Sequence, residues 1–259
     1  ERRSGESVSR FRPLRFQSGR RSQSRPLTLT VNPAQSSYLL LQVNDALFPI
    51  GGYSHSYGLE SYIDRGLVHD EKTAEAYIRA RLINEIQYCE LLTVRLACEA
   101  ALRGDIDGMR RIDMLTEALR TPSEIREALR RLGSRFIKTV RSLELQGLDD
   151  IFERYTEGPG PHHHPTAYGV FAAAAGIGCR DALSHYLYGQ TSAIVTCCVK
   201  SIPLSQTSGQ QILSRVCELF DPVIENTAAL GEDDLGRSTP GFDLRSMQHE
   251  TQYSRLYMS

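Results

Sequence analysis

Apolar residues recur at intervals of three, four or seven over most of the chain, and this periodicity predicts α-helices. The longest predicted helix extends over residues 71–102, where Asp70 is placed to cap the first turn and Gly104 to end the helix. Its predicted core positions are Ile78, Leu82, Ile86, Cys89, Leu96 and Ala100. A helix of roughly 30 residues is long enough to be the central packing element of a helical domain.

A second amphipathic helix is predicted from Pro122, and its polar face is strongly basic. Thr121, Pro122, Ser123 and Glu124 match a capping box with proline at the first helical position. The apolar stripe comprises Ile125, Leu129, Leu132, Phe136, Ile137, Val140 and Leu143. The basic face comprises Arg126, Arg130, Arg131, Arg135, Lys138 and Arg141. Such a face is either solvated or in contact with a partner, and the sequence leaves both possibilities open.

Shorter helices are predicted along the rest of the chain, although the apolar run 36–43 is short enough to be a strand. The other predicted helical segments are 58–64, 109–119, 148–155, 166–175, 179–199 and 221–230, together with a helix that Ser205 or Thr207 can cap and that runs through Gln210 to about residue 219. The sequence therefore predicts an all-α protein, a single globular helical bundle of about nine or ten helices. Its expected parts are a disordered basic tail (1–36), a helical domain (37–234), and a flexible linker with a C-terminal tail (235–259).

Residues 44–60 form a predicted elbow between a loop and a helix. Pro49 fixes its own φ, and Gly51 and Gly52 allow backbone angles or close approaches that other residues do not. Position 56 is serine where a nucleophile elbow requires glycine, and no Lys-Ser/Thr pair follows as in a phosphate loop. Chemistry alone therefore favours a tight, packed turn at the start of a helical core.

The net charge of −1 is unevenly distributed along the chain. Residues 1–30 contain eight arginines and two glutamates, so the rest of the chain is acidic, which argues against nucleic acid as the main partner. The arginine-rich start lacks the apolar centre of a secretory signal, and it could be an organelle transit peptide, a solvated tail or upstream sequence. No apolar run approaches the roughly 18–20 residues that span a bilayer, so no membrane association is expected.

The cysteines and histidines do not match a metal-site template. The six cysteines include no Cys-x-x-Cys pair, so we expect buried free thiols in a reducing, cytoplasmic compartment. His162, His163 and His164 follow one another in a Gly- and Pro-rich stretch, where an exposed loop is expected, with weak adventitious Ni²⁺ or Zn²⁺ binding as the alternative. We predict no catalytic residue, cofactor site or metal site, and the chemistry favours an interaction protein over an enzyme.

The last residues of the chain, 247–259, combine apolar and aromatic side chains after a polar stretch that contains Gly and Pro. A chain terminus is normally polar and frays. From the residues alone, such a tail either packs on its own domain or docks into another protein.

Three stretches carry a family resemblance when they are taken in order. The first is Phe-Pro-Ile-Gly-Gly-Tyr-Ser-His-Ser-Tyr-Gly-Leu-Glu at 48–60. The second is Lys-Ser-Ile-Pro-Leu-Ser-Gln at 200–206, followed by Gly209-Gln210. The third is His-Glu-Thr-Gln-Tyr-Ser-Arg-Leu at 249–256. Together they resemble the urease accessory protein UreF family over residues 37–259. Ser205 stands where glycine is common in the family, and Tyr-Met-Ser closes the chain where Phe-Arg-Ser is more frequent.

The resemblance implies a helical, dimeric protein that does no bond chemistry. Proteins of this family bind a second accessory protein, UreD (also called UreH). Together they recruit the nickel-carrying GTPase UreG and act on apo-urease, so that Ni²⁺ enters its active site. Ni²⁺ is then the cargo of the complex, and no cofactor is bound tightly by the chain. The alternative function is a direct nickel carrier that uses His162, His163 and His164, or Cys197 and Cys198.

The resemblance also implies which residues bind partners, because the family's C-terminal tail is implicated in binding. The residues expected to contact UreD- and UreG-type proteins are Phe48, Pro49, Gly51, Gly52, Tyr53, His55, Glu60, Lys200, Met247, His249, Glu250, Tyr253, Arg255, Leu256 and Tyr257. The expected self-dimer contact is His185, Tyr186 and Tyr188, because aromatic side chains with polar tips are enriched at interfaces.

Overall fold

The computed structural model describes residues 33–237 and 239–259, and every regular element in those ranges is a helix. The predicted all-α fold is therefore confirmed for the described residues. The helices are α1 (Pro33–Val43), α2 (Leu59–Asp64), α3 (Glu71–Arg81), a π-helical segment (Leu82–Leu91), α4 (Leu92–Leu102), α5 (Ile106–Leu119), α6 (Ser123–Ser142), α7 (Ile151–Thr156), α8 (His164–Ala174), α9 (Cys179–Ser201), α10 (Gln206–Val216), α11 (Phe220–Ala229) and α12 (Pro240–His249).

The described residues cover little of the predicted N-terminal tail but nearly all of the predicted C-terminal linker and tail. The predicted disordered tail (1–36) lies outside the described residues except for 33–36, which belong to α1. The predicted linker contains α12, which begins with Pro240 and packs against α2 and α6. None of the described helices combines the length and the apolar character needed to cross a bilayer.

Helix α8 lies at the centre of the bundle, between α4 and α6. Its alanine-rich sequence is buried along almost its whole length, which allows the neighbouring helices to approach closely. Phe171 of α8 packs edge to face against Phe136 of α6, with ring centroids 5.4 Å apart. The Ala-rich segment is therefore the close-packed helix that the sequence predicts.

Helices α3 and α4 and the π-helical segment between them form one continuous helix over residues 71–102, as predicted. Asp70 caps its start by accepting a hydrogen bond from the N–H of Thr73 at 2.8 Å. The π-helical turns were not predicted from the sequence. Their wider hydrogen-bonding pattern is seen where the N–H of Leu92 donates to the carbonyl of Gln87, five residues earlier.

The π-helical segment carries a buried charge cluster, formed by Arg81, Glu85, Glu90 and Arg120. Arg81 donates to Glu85 at 2.6 Å, and Arg120 donates both to Glu85 and, at 2.8 Å, to Glu90. The Tyr186 hydroxyl of α9 donates to Glu90 at 3.0 Å. Burial opposes ionisation of Glu85, but the two guanidinium groups outweigh it and lower the pKa of this carboxyl to about 2. Burial and the neighbouring Glu85 raise the pKa of Glu90.

Helix α6 begins without the capping box predicted at Thr121 and Glu124. Pro122 occupies the N-cap position and makes no side-chain hydrogen bond. The Ser123 hydroxyl donates to Glu250 at 2.7 Å, and the Glu124 carboxylate pairs with residues near the C-terminus. The capping-box prediction is wrong because Pro122 rather than Thr121 is the N-cap, and the Glu124 carboxylate bonds His249 and Arg255 instead of the start of its own helix.

The predicted exposed loop at 162–164 is also wrong, because His163 and His164 are buried. The Asp113 carboxylate accepts the N–H of His162 at 2.7 Å and that of His163 at 2.9 Å. His164 begins α8, and its ring packs edge to face against Phe136 at 5.3 Å. A buried acid on α5 thus satisfies the backbone of a segment whose composition resembles a surface loop.

Cys98 and Cys179 form a disulfide between α4 and α9. The prediction of free thiols is therefore wrong for this pair, whose 81-residue separation gave no signal in the sequence. The other four cysteines, Cys89, Cys197, Cys198 and Cys217, are free.

The buried His164 makes stability depend on pH. Burial lowers the pKa of His164 from 6.5 to about 4, and neither ring nitrogen has a hydrogen-bond partner among the described residues. The unfolded chain binds this proton near pH 6.5, whereas the folded chain binds it near pH 4. The neutral His164 therefore leaves the free energy of unfolding at its full value above pH 6.5, and this free energy decreases as the pH falls towards 4.

The His164→Phe variant lacks this titratable group, and its phenyl ring keeps the packing of the site. Between pH 7 and pH 4.5, we expect its free energy of unfolding to fall by about 2–3 kcal/mol less than that of the wild type. Urea denaturation at the two pH values measures the loss. His69→Phe, at an exposed position, is the control and should keep the wild-type acid sensitivity. An unchanged acid sensitivity of His164→Phe would contradict the prediction.

Candidate functional site

The elbow (residues 44–60) turns the chain from α1 into α2 through glycines in left-handed conformations. Gly51 has φ 83° and Gly58 has φ 82°. A side chain at Gly51 would collide with Arg135 of α6. A Cβ at Gly58 would lie 2.6 Å from the hydroxyl oxygen of Ser246 on α12. The glycines therefore allow two helices to approach the elbow.

The tail (residues 250–259) lies on the elbow through main-chain hydrogen bonds. The main-chain oxygen of Ser259 accepts the N–H of Ser56 at 2.6 Å and the N–H of Tyr57 at 2.9 Å. The N–H of Met258 donates to the carbonyl of Ser54 at 2.9 Å. We call this contact between the elbow and the tail the elbow–tail junction. Because its bonds are made by the main chain, the path of the elbow determines where the tail lies.

Two acids and a histidine hold the start of the tail. The Glu60 carboxylate accepts the N–H of Leu256 at 2.7 Å and that of Tyr257 at 2.9 Å. The same carboxylate lies 3.0 Å from Nε2 of His249, whose Nδ1 lies 2.7 Å from Glu124. The His249 side chain is fully buried between the two acids. Since a carboxylate is a strong acceptor, this arrangement fixes α12 and the tail against α2 and α6.

Buried residues support the elbow from beneath. The guanidinium of Arg81, a member of the buried charge cluster, lies 5.2 Å from the centroid of the Tyr57 ring. The His55 ring is buried, with Nδ1 2.9 Å from the hydroxyl oxygen of Ser259. The Cys197 thiol donates to the carbonyl of His55 at 3.6 Å. The position of the tail therefore depends on contacts that extend into the core.

The outer side of the elbow–tail junction is exposed and partly apolar. In the tail, Tyr253 is fully exposed, 66% of Leu256 is exposed, and Met258 is also exposed. In the elbow, 64% of Tyr53 is exposed. Aromatic residues and methionine are enriched at protein interfaces. A tail that is anchored on its inner side and apolar on its outer side can present a surface to another protein.

The structure gathers most of the predicted partner-binding residues at this junction and on the adjoining α12. Those buried within the chain are Phe48, Gly51, His55, His249 and Tyr257. Those exposed are Pro49, Tyr53, Met247, Glu250, Tyr253, Arg255 and Leu256, whereas Gly52 and Glu60 are partly buried. The remaining predicted residue, Lys200, is exposed near the end of α9. The buried residues can act on a partner only by shaping the surface.

The predicted self-dimer residues lie on α9 with different exposure. Tyr188 is exposed and His185 is partly buried, so a contact through them stays a prediction. Tyr186 is buried and bonds Glu90 inside the bundle. Its side chain is therefore not available at a surface, and the prediction is corrected for this residue.

The three consecutive histidines do not face one another. His162 Nε2 lies 3.2 Å from the carbonyl of Tyr155, His163 Nε2 lies 2.7 Å from Glu117, and His164 packs among aromatic rings. Over residues 33–237 and 239–259, no group of three or more His, Cys, Asp or Glu residues is arranged to hold a metal ion.

Glu124 is the member of the junction that the sequence analysis missed, because its spacing from Thr121 matched a capping box. Besides His249, it pairs with Arg255 of the tail at 2.6 Å. The signal available in the sequence was weak: His249 and Arg255 are the two basic residues in 247–259, and each requires an acid if it is held against the domain.

Comparison with known proteins gives a consistent result. The family model UreF matches residues 68–217. The urease accessory protein UreF of Paenarthrobacter aurescens (strain TC1) is 33% identical over 224 residues, covering 85% of this chain and 96% of the relative. The protein of the same name from Streptococcus thermophilus (strain ATCC BAA-491 / LMD-9) is 30% identical over 230 residues, covering 88% of this chain and 97% of the relative.

Proposed function

Because the chain belongs to the UreF family of urease accessory proteins, we propose that it is a scaffold for nickel insertion into urease. In this proposal it binds a UreD/UreH-type partner, recruits and regulates a UreG-type GTPase, and promotes Ni²⁺ incorporation into apo-urease in the cytoplasm. The names of the relatives support the urease role, and the partners are those that the family resemblance implies.

The observation that carries the proposal is the elbow–tail junction. Two helices and a loop position the tail, and its apolar side chains Tyr253, Leu256 and Met258 are left exposed. Hydrophobic groups held in a fixed position bind with a smaller entropic cost than a free segment does. We infer that the UreD/UreH-type partner binds on this surface, next to Tyr53 of the elbow.

In this mechanism the chain does no bond chemistry and is not an enzyme. It holds the GTPase next to urease, so that the nucleotide state of the GTPase is coupled to the release of Ni²⁺, the cargo. Such a coupling free energy is typically about 1–3 kcal/mol. The chain would act as a homodimer, with Tyr188 and His185 at the contact between two copies.

A reconstituted maturation reaction tests the proposal. Apo-urease, the UreD/UreH-type partner, the UreG-type GTPase, GTP and Ni²⁺ are mixed with and without the chain. We expect urease activity and bound nickel to rise only when the chain is present. Equal activation without the chain would overturn the scaffold function. GTP turnover by the chain in the absence of the GTPase would contradict its assignment as a non-enzyme.

A further inference from the structure

Helix α6 presents a basic stripe beside the elbow–tail junction. Arg131, Arg135 and Lys138 are exposed and spaced four and three residues apart, so they share one face of the helix. Within 33–237 and 239–259, the acid that pairs with Arg131 is the exposed Glu127 on its own helix, and Arg135 donates to the carbonyl of Ile50 in the elbow. No acid among the described residues forms a salt bridge with Arg135 or Lys138.

The other cations of α6 differ from this stripe because they are paired with neighbouring helices. Arg130 pairs with Glu117 of α5, and Arg126 lies 3.6 Å from the same acid. Arg141 pairs with Glu153 of α7. Arg126 and Arg130 share the single carboxylate of Glu117. Among the described residues, Arg135 and Lys138 are the cations of α6 that have no acid partner.

Two clefts border α6, and each includes a residue of the stripe. One, of about 400 Å³, is lined by Arg131 together with His55 and Met258 of the junction. The other, of about 470 Å³, is lined by Lys138 together with Arg141 and His162. The first cleft also contains the acids Glu124 and Glu127, and through Met258 it adjoins the exposed tail.

The positive potential of the stripe extends to the elbow. Burial lowers the pKa of His55 to about 4, and Arg131 and Arg135 act in the same direction. Both guanidinium groups are therefore close enough to oppose a further positive charge in the junction. A negatively charged group placed there would be stabilised by the same field.

We propose that the α6 stripe binds an acidic segment of a protein partner whose apolar part lies on the elbow–tail junction. The inference rests on the proposed scaffold function and adds the chemistry of the partner's contact. A protein segment fits better than nucleic acid or an anionic membrane. Glu124 and Glu127 interrupt the basic charge along α6, and the chain outside residues 1–30 is acidic and would repel an extended polyanion.

Charge reversal on the stripe tests the inference. The variant Arg131→Glu with Lys138→Glu leaves the Arg135 contact to the elbow in place. The control, Lys72→Glu with Arg103→Glu, makes the same change in net charge at exposed positions away from α6. Affinity is measured separately for the UreD/UreH-type partner and the UreG-type GTPase, at about 50 and 300 mM NaCl, which changes the Debye length about twofold.

We expect the stripe variant to bind the UreD/UreH-type partner, which the proposed function places on the junction, about tenfold more weakly than wild type at low salt, with a smaller salt dependence. Its affinity for the GTPase should be unchanged, and a loss of affinity confined to the GTPase would overturn the inference. The control should bind as wild type does. Arg131→Gln with Lys138→Gln, which removes charge without reversing it, should give an intermediate loss. Thermal melting confirms that each variant is folded.

If the stripe variant and the control lose affinity equally, or if neither loses affinity, the inference is overturned and the basic face of α6 is a solvated face. A loss of binding to a duplex DNA of about 20 base pairs, with both proteins still bound, would overturn it in favour of nucleic acid. If wild type binds neither protein, the proposed function fails and this inference fails with it. Wild-type binding with an unaffected stripe variant overturns this inference alone.

Discussion

Replacing Arg120 with methionine is expected to lower the free energy of unfolding by about 3–5 kcal/mol, because it leaves buried carboxylates without their partner. Arg120 donates both to Glu85 and to Glu90, and all three side chains are buried. Arg81 alone would then face two acids in a region without water contact. For a chain of this size, the melting temperature should fall by on the order of 10 °C.

Thermal and urea denaturation of matched variants measure this effect. Arg131→Met is the control, because it breaks an exposed pair with Glu127 and should cost at most about 1 kcal/mol. Adding Glu90→Gln to Arg120→Met should recover part of the loss by removing the surplus buried charge. A loss no larger than that of the control would contradict a structural role for the buried charge cluster.

Replacing Glu60 with alanine is expected to release the tail from the elbow while leaving the helical bundle folded. The Glu60 carboxylate accepts two tail N–H groups, from Leu256 and Tyr257, and lies 3.0 Å from His249. A hydrogen bond to a charged group contributes about 1.5–3 kcal/mol, so losing three of them should raise the population of the detached tail at least tenfold.

Amide hydrogen exchange measures this release directly, as faster exchange at Leu256 and Tyr257. Glu99→Ala is the matched control, since Glu99 is a helix-surface acid that bonds Arg95 and is far in sequence from the elbow. The control should keep wild-type exchange in the tail. Unchanged protection in Glu60→Ala would show that the main-chain bonds to Ser259 hold the tail without the acid.

The helices could largely be predicted from the sequence because their signals are local. The apolar face of α6 and the cap at Asp70 depend on residues within a few positions of one another. The histidine segment at 162–164 could not be predicted, because its burial depends on Asp113, about 50 residues earlier in the chain. The same limit applies to Glu124, whose partners lie more than 120 residues away.

The candidate site was predictable in part. The motif at 48–60 and the tail motif indicated which segments matter, and the structure places them in contact. Which of their side chains point inward could not be read from the motifs. His55 and Tyr257 are polar aromatic residues suited to an interface, yet both are buried because the elbow and the tail cover each other.

The measurement that tests the central claim most directly is the affinity of the UreD/UreH-type partner for two forms of the chain. One is the full chain, and the other ends at Glu250, which retains α12 and His249 but lacks the rest of the tail. Both are titrated with the partner under the same conditions, and light scattering gives the mass of each complex. We predict a stable complex with the full chain and none with the shortened chain. Equal affinity of the two forms would contradict the assignment of the elbow–tail junction as the partner-binding surface.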